Sequence, residues 1–212
     1  MAFASTIDSI EELRRRYPPP HEMVLRKQVA RIDDGAREFI ARTTLVIMAT
    51  SGRDGGDASP RGGPPGFVRV LDGTRLAFGD LSGNRRLDSL ENLLVNPQIG
   101  MLFLVPGVGE TLRVNGRAVL TTDPEVLAAC ALDDVTPNVA VGIDVEALYI
   151  HCPKAFRRSG LWQPETWPET KEQPRAAAIL KDHLQLDESA DEIEASLEAG
   201  YEATVWKAGG KT

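Results

Sequence analysis

The chain is poor in the residues from which metal sites and disulfide frameworks are built. Among its 212 residues there are two cysteines, Cys130 and Cys152, and three histidines. The cysteines form no CxxC pair, and no histidine stands at a metal-ligand spacing from another ligand type. We therefore expect no metal site, and we expect two reduced thiols in a reducing compartment.

Other signals are missing as well. The longest apolar run, IGMLFLVPGVG, is far shorter than a membrane span, and the N-terminal stretch has no apolar core of a signal peptide. The formal net charge of −7 argues against bulk binding to nucleic acid or to an anionic membrane. No G-x-G-x-x-G, P-loop or G-x-S-x-G motif is present. These absences predict a cytoplasmic protein without nucleic-acid or membrane partners, in which any anion must bind to a local basic cluster.

The pattern of elements predicts a mainly β fold with flanking helices. Helical spacing precedes position 43, and then β-rich runs such as TLVIMAT, GFVRVLD and QIGMLFLV follow. Asp72-Gly73 indicates a hairpin turn, and Asn115-Gly116 indicates a bulge or bend within a long strand. DASPRGG is interpreted as a loop-like segment that could contain a short strand. Five or six strands with one inserted helix favour an antiparallel barrel over a doubly wound sheet.

Composition divides the chain into three parts of one domain. We expect an N-terminal helical extension packed on the barrel (1–38), a barrel core (39–152) and a C-terminal part (153–212). The last part begins with an irregular segment rich in Trp and Pro and ends in two acidic helical stretches.

The stretch SGNRRLDSL raises the main functional question. Two adjacent arginines, Arg85 and Arg86, follow Ser82 and Asn84, where a helix is predicted to begin. Arginine forks and the N–H groups of a helix N-terminus both suit a phosphate. Single surface arginines are common, however, so the spacing alone predicts only an anion site. Ser59, Arg61 and Arg69 belong to the same basic and polar group.

The order of these motifs resembles the pyridoxamine 5'-phosphate oxidase-like family of FMN-binding split barrels. The similar segments are SGNRRLDSLENLLVNPQIGMLFLV and TLRVNGRAVLTTD. A branch of that family shares SPRG, LFLVPG and a tail of the type KAFRRSxLW, which here lie at 59–62, 102–107 and 154–162. Two features depart from the oxidase itself: FVRVLD replaces RxVLLK, and the oxidase's C-terminal substrate-binding ending is missing.

The resemblance implies a six-stranded split barrel and a homodimer with two FMN sites at the subunit interface. It implies that the FMN phosphate is contacted by residues among the set Arg61, Arg69, Ser82, Arg85 and Arg86, with Ser59 and Asn84 beside them. Backbone N–H groups from Gly66 to Val70, Val68 included, are expected at the flavin edge. The implied function is an FMN-dependent oxidoreductase that transfers a hydride between FMN and a small substrate other than pyridoxamine phosphate.

Three interpretations stay open at this stage. Lys154, Arg157 and Arg158 either reach the cofactor of the partner subunit or form a solvated helix. Trp162 either borders the flavin or anchors the irregular segment. The whole protein is an oxidoreductase, or a carrier or sensor that binds FMN or haem without turnover, or a structural dimer whose arginines make only surface ion pairs.

Overall fold

A computed structural model describes residues 3–53 and 55–209. Seven strands are present: β1 (Leu45–Gly52), β2 (Gly55–Gly62), β3 (Arg69–Val70), β4 (Arg75–Gly79), β5 (Gln98–Leu104), β6 (Thr111–Thr121) and β7 (Ala140–His151). The α-helices are α1 (Ile10–Arg16), α2 (Glu22–Arg26), α3 (Asp34–Arg42), α4 (Asp88–Val95), α5 (Pro124–Ala129), α6 (Lys154–Ser159), α7 (Ala176–Leu184) and α8 (Ala190–Thr204).

All seven strands form one antiparallel sheet in the order β2-β1-β5-β6-β7-β4-β3. The prediction of a mainly β antiparallel architecture with flanking helices is confirmed. The sheet has seven strands instead of six, and within the described ranges no backbone pairing joins β2 to β3. We call the opening between these two edges the seam.

The additional strand is β2, which covers the segment interpreted as loop-like. Its glycines, proline and polar side chains hide the alternation of a half-buried strand. The structure nevertheless pairs β2 with β1 along its whole length, from Leu45 opposite Gly62 to Gly52 opposite Gly55. Pro60 is tolerated because β2 is an edge strand, where a missing N–H leaves no partner unpaired.

The core lies inside the curved sheet and is closed by α3 and α4. Ile40 of α3 and the strand residues Val46, Phe78 and Phe103 are at most 1% exposed. Asp33 caps α3 by accepting a hydrogen bond from the N–H of Ala36, so the helix begins where its apolar face meets the sheet. The core therefore holds the inner faces of the strands in place.

Two local predictions are confirmed by the hydrogen bonds of the backbone. The β6–β7 register shifts between Asn115 and Gly116, which is the expected irregularity. β3 and β4 form the expected hairpin, and Asp72 accepts hydrogen bonds from the N–H groups of Thr74 and Arg75. The bond from Thr74 leads the causes that lower the pKa of Asp72 to about 2.

The N-terminal extension contacts the sheet only near its end. The helices α1 and α2 contain no buried residue. Contact begins at Lys27, whose Nζ donates to the carbonyl of Ile150 at 2.6 Å. It continues at Val29, which forms an isolated bridge with Leu148, and at Ile32, which is 6% exposed. Across the described ranges no helix has the length and apolar character that a membrane crossing requires.

Gly116 allows the bulge, and we expect Gly116→Ala to destabilise the protein. A Cβ atom there would lie 2.0 Å from the backbone oxygen of Asp144, which cannot move without disturbing β7. Overpacking of this kind costs about 1–3 kcal/mol, measurable as a lower free energy of unfolding in urea. Gly100→Ala is the matched control, because its added Cβ would meet nothing nearer than 3.7 Å. Equal stability of the two variants would contradict the close approach of Gly116 to the backbone of Asp144.

Candidate functional site

The seam contains a cleft of about 370 Å³, which we call the seam cleft. One wall is the inner face of β2, the second is the loop that follows β4, and the third is the first turn of α4. Its lining residues are Asp57–Arg61, Asp80–Arg85, Leu87–Leu90 and Gly209. The structure therefore brings together five residues of the sequence-predicted set: Ser59, Arg61, Ser82, Asn84 and Arg85.

β2 directs three polar side chains to the same face. Asp57, Ser59 and Arg61 alternate with more exposed neighbours, as a strand period of two requires. Asp57 accepts a hydrogen bond of 2.5 Å from the hydroxyl of Ser89, which is 3% exposed and lies in the first turn of α4. This bond ties α4 to the edge strand.

Arg61 and Asp80 form an ion pair across the seam. The Nη1 of Arg61 lies 3.1 Å from the Oδ1 of Asp80, and the two side chains are 22% and 13% exposed. Burial raises the pKa of Asp80, and the neighbouring Arg61 opposes this rise. The Nε of Arg61 is fully buried and has no hydrogen-bond partner among the described residues. The Nε–H of Arg61 is thus an unsatisfied hydrogen-bond donor, and an anion would be a suitable acceptor for it.

The loop between β4 and α4 has an unusual backbone. Arg85 and Leu87 both have φ of 60°, a left-handed conformation that is costly for residues other than glycine. Asn84 closes a local turn by accepting a hydrogen bond from the N–H of Arg86. Backbone strain beside a cleft is typical of functional loops. Here the left-handed conformations turn the side chains of successive loop residues in different directions.

This loop separates the roles of the two adjacent arginines. Arg86 pairs with Asp88 at 2.7 Å, is 72% exposed, and does not line the cleft. Arg85 lines the cleft and has no ion pair within the part of the chain that the structure describes. The pair therefore divides into one arginine available to an anion and one engaged by a neighbouring carboxylate.

The helix start lies later than predicted. α4 begins at Asp88 instead of near Asn84, because Leu87, in its left-handed conformation, occupies the N-cap position. No side chain caps α4, and its first-turn residues Asp88, Ser89 and Leu90 line the cleft. Uncapped N–H groups carry partial positive charge, so they add donors for an anion.

The charges of the cleft are nevertheless nearly balanced. Arg61 and Arg85 face three lining carboxylates, those of Asp57, Asp80 and Asp88. Each carboxylate already accepts a hydrogen bond, from Ser89, Arg61 and Arg86 respectively. A doubly charged phosphate therefore finds directed donors in one protomer, but it does not find a surplus of positive charge.

Two of the predicted residues lie elsewhere in the fold. Arg69 donates to the carbonyl groups of Ala129 and Ala131, at 2.8 Å and 3.1 Å, and so caps the C-terminus of α5. Val68 is 2% exposed and its side chain belongs to the core. Its neighbour Phe67 lines a second cavity instead. The contact of the Arg69 side chain and of the Val68 backbone N–H with the cofactor stays a prediction.

The tail residues do not line the seam cleft of their own chain. Lys154 and Arg158 lie on α6, which follows the end of β7 opposite to Ala140. Trp162 donates its indole N–H to the carbonyl of Val108 at 2.9 Å and stacks on Phe156 with ring centroids 5.7 Å apart. These contacts show Trp162 anchoring its segment on the β5–β6 loop.

A second cavity of about 740 Å³ adjoins the seam cleft, and we call it the α8 cavity. Pro60, Arg61 and the loop Leu81–Asn84 line both spaces. α8 provides the outer wall, which the sequence analysis did not identify. The available signal was the repetition of small residues at Ser196, Gly200 and Thr204, four positions apart and hence on one helix face.

The chain after α8 returns to the seam. Leu81 forms an isolated bridge with Ala208, and the N–H of Ser82 donates to the carbonyl of Lys207 at 2.8 Å. Gly209 lies so close to Asp80 that a Cβ atom would be 2.2 Å from its Oδ2. The segment 207–209 therefore connects α8 to the loop that forms both cavities.

The chain belongs to the pyridoxamine 5'-phosphate oxidase family, whose model matches residues 32–152, more than half of the sequence. Among solved structures, HupZ from Group A Streptococcus is similar with 20% identity and a TM-score of 0.45, over 55% of this chain and 91% of that chain.

Two further structures are similar. General Stress Protein 26 from Bacillus anthracis has 14% identity and a TM-score of 0.43, over 54% of this chain and 88% of that chain. A NimC/NimA family protein from Clostridium acetobutylicum has 20% identity and a TM-score of 0.41, over 57% and 87%. No curated protein matches the sequence. The expected family is thus confirmed by the match over residues 32–152, which includes the seam cleft except Gly209 and excludes α8.

The raised pKa of Asp80 predicts how the Asp80→Asn variant responds to pH. The folded protein holds the Asp80 proton more tightly than the unfolded chain, so ionisation above the ordinary pKa of 3.8 destabilises the fold. Asparagine does not ionise. The free energy of unfolding of Asp80→Asn minus that of the unchanged protein should therefore rise between about pH 4 and about pH 7 in urea titrations.

Asp88→Asn is the matched control for this measurement. The hydrogen bond from Arg86 lowers the pKa of Asp88, so its contribution to stability is lost only as pH falls below the ordinary value of 3.8. Its difference from the unchanged protein should be flat between about pH 5 and about pH 7. A flat difference for Asp80→Asn too would show that Asp80 is not desolvated as described.

Proposed function

We propose that the protein is an FMN-binding oxidoreductase whose seam cleft holds the FMN phosphate. The observation that carries this proposal is the buried Nε of Arg61, which has no partner among the described residues. Arg61 lines a cleft that also contains Arg85 and the uncapped first turn of α4. Members of this family typically bind a flavin, and a phosphate suits these donors.

Within the cleft each group has a distinct task. Asp80 fixes the guanidinium of Arg61 by an ion pair through Nη1 and leaves Nε without a described partner. Arg85 supplies a cation that no described carboxylate neutralises. Ser59 and Ser82 add hydroxyl groups on opposite walls. FMN, when bound, would supply two-electron redox chemistry with a small substrate, and the protein would bind and orient both reactants.

The charge balance supports a homodimer. Because the seam cleft of one protomer has two arginines against three aspartates, a phosphate needs further cations. Lys154, Arg157 and Arg158 of α6 make no ion pair within the described ranges. We infer that α6 of a partner subunit completes the cleft. A partner would also cover apolar side chains of α1 and α2, such as Ile10 (72% exposed) and Met23 (69% exposed).

Replacing Arg85 tests the phosphate site. We expect Arg85→Gln to weaken FMN binding about tenfold or more, since a hydrogen bond to a charged group is worth about 1.5–3 kcal/mol. Arg86→Gln is the comparison variant, because the Arg86 guanidinium does not line the cleft and pairs with Asp88, so its loss should weaken FMN binding less than the loss of Arg85. The measurement is the flavin absorption that stays with each protein after loading with FMN and desalting.

The absorption spectrum also separates the alternatives. An unchanged protein that retains no FMN would contradict the proposal, and a Soret band would favour haem binding instead. Equal losses in Arg85→Gln and Arg86→Gln would show that general surface charge, not the seam cleft, holds the flavin. Retained flavin that neither oxidises nor reduces any added donor or acceptor would favour a carrier or sensor.

A mixing experiment tests whether the cleft is shared between subunits. We expect light scattering to show a dimer and Arg158→Gln to weaken FMN binding as Arg85→Gln does. If each site combines Arg85 of one subunit with Arg158 of the other, a mixed dimer of the two variants has one intact site and one doubly altered site. Unfolding and refolding the variants together should then restore high-affinity FMN binding in about half of the mixed dimers' sites. A monomer, or no restoration, would contradict the shared site.

A further inference from the structure

The α8 cavity has the size and shape of a small-molecule pocket. Its volume of about 740 Å³ lies within the usual range of ligand sites, about 300–1,000 Å³. Its floor is formed by the barrel, where Phe67, Phe78 and Cys130 are 4%, 1% and 2% exposed. A rigid apolar floor of this kind is typical of a preformed binding site.

α8 forms the outer wall with two rows of side chains. Leu197, Tyr201 and Val205 repeat at intervals of four and supply apolar surface. The second row is small, and at its centre an added Cβ on Gly200 would meet no atom within 4 Å. Tyr201 and Val205 are 57% and 50% exposed although they line the cavity. The helix thus faces the barrel across open space rather than packing against it.

The wall is held by contacts near both of its ends. At the start of α8, Arg175, the N-cap residue of α7, pairs with Asp191 and Glu194. Beyond its end, the bonds between segment 207–209 and the loop after β4 hold the chain at the seam. α8 is therefore tied to α7 at one end and to the seam at the other.

The charge of the lining selects the ligand. Arg61 is the only charged residue among the described residues that line the α8 cavity, and no carboxylate lines it. Ser82 and Asn84 add polar groups at the same end. Burial raises the pKa of the Cys130 thiol, so the floor stays uncharged at neutral pH. The cavity offers apolar surface along most of its wall and one cationic, hydrogen-bonding end, which disfavours a cationic ligand.

We propose that the α8 cavity binds an apolar organic anion, a ring compound with one carboxylate or sulfonate group directed to Arg61, Ser82 and Asn84. The cavity shares these residues with the seam cleft, so its ligand lies beside the proposed FMN phosphate site.

Fluorescence titration tests the ligand class with two probes of similar shape. We expect 8-anilinonaphthalene-1-sulfonate, an aromatic anion, to bind saturably with one molecule per chain. The uncharged N-phenyl-1-naphthylamine should bind about tenfold more weakly, because it lacks the charge-assisted hydrogen bonds at Arg61. Binding without saturation, or equal affinity for both probes, would overturn the proposal.

Two variants of α8 locate the probe. Gly200→Phe places a ring in the open space and should abolish the saturable binding, while Gly200→Ala adds one carbon that meets nothing and should preserve it. Both replacements favour the helix over glycine. Ser196→Phe fills the cavity one turn earlier and should act like Gly200→Phe. Unchanged binding in both phenylalanine variants would overturn the proposal.

Measuring FMN retention on the same variants separates this proposal from the proposed function. If the unchanged protein binds the anionic probe but no FMN, the cavity assignment stands and the proposed function fails. If FMN is retained and the probe is insensitive to Gly200→Phe, the cavity assignment fails alone.

Discussion

The site depends on the ion pair between Arg61 and Asp80, which crosses the seam. Arg61 belongs to the edge strand β2, and Asp80 follows β4 near the other edge. Both side chains are largely buried, so loss of either would leave the other without its partner. The pair therefore links the two edges of the seam and holds the guanidinium of Arg61, whose buried Nε has no partner among the described residues.

This arrangement lets one loop serve two binding spaces of different character. The segment Leu81–Asn84 lies between the seam cleft and the α8 cavity and lines both. On one side, backbone and arginine donors suit a phosphate. On the other side, aromatic floor and helix wall suit an apolar ring. The chain beyond the family-matched residues supplies the outer wall of the second space.

Sequence reasoning succeeded where local chemistry decides the structure. The Asp72-Gly73 turn, the bulge at Asn115-Gly116 and the apolar strand β5 follow from short-range patterns. It failed where long-range contacts decide. β2 forms because its polar and glycine-rich residues pair with the free edge of β1. α4 begins later than predicted because Leu87 adopts a left-handed conformation. The helix α8 was predicted, but the roles of Asp80 and α8 in the site were not, since only the folded chain brings them to Arg61.

The central claim is that the seam cleft recognises the phosphate of a flavin. Comparing FMN with riboflavin tests this most directly, because the two differ only in that phosphate. Quenching of flavin fluorescence should give an affinity for FMN at least about tenfold higher than for riboflavin, as expected for one or more charge-assisted hydrogen bonds. The FMN affinity should fall with added salt, and the riboflavin affinity should not. Equal affinity for the two compounds, or no binding of either, would contradict the account.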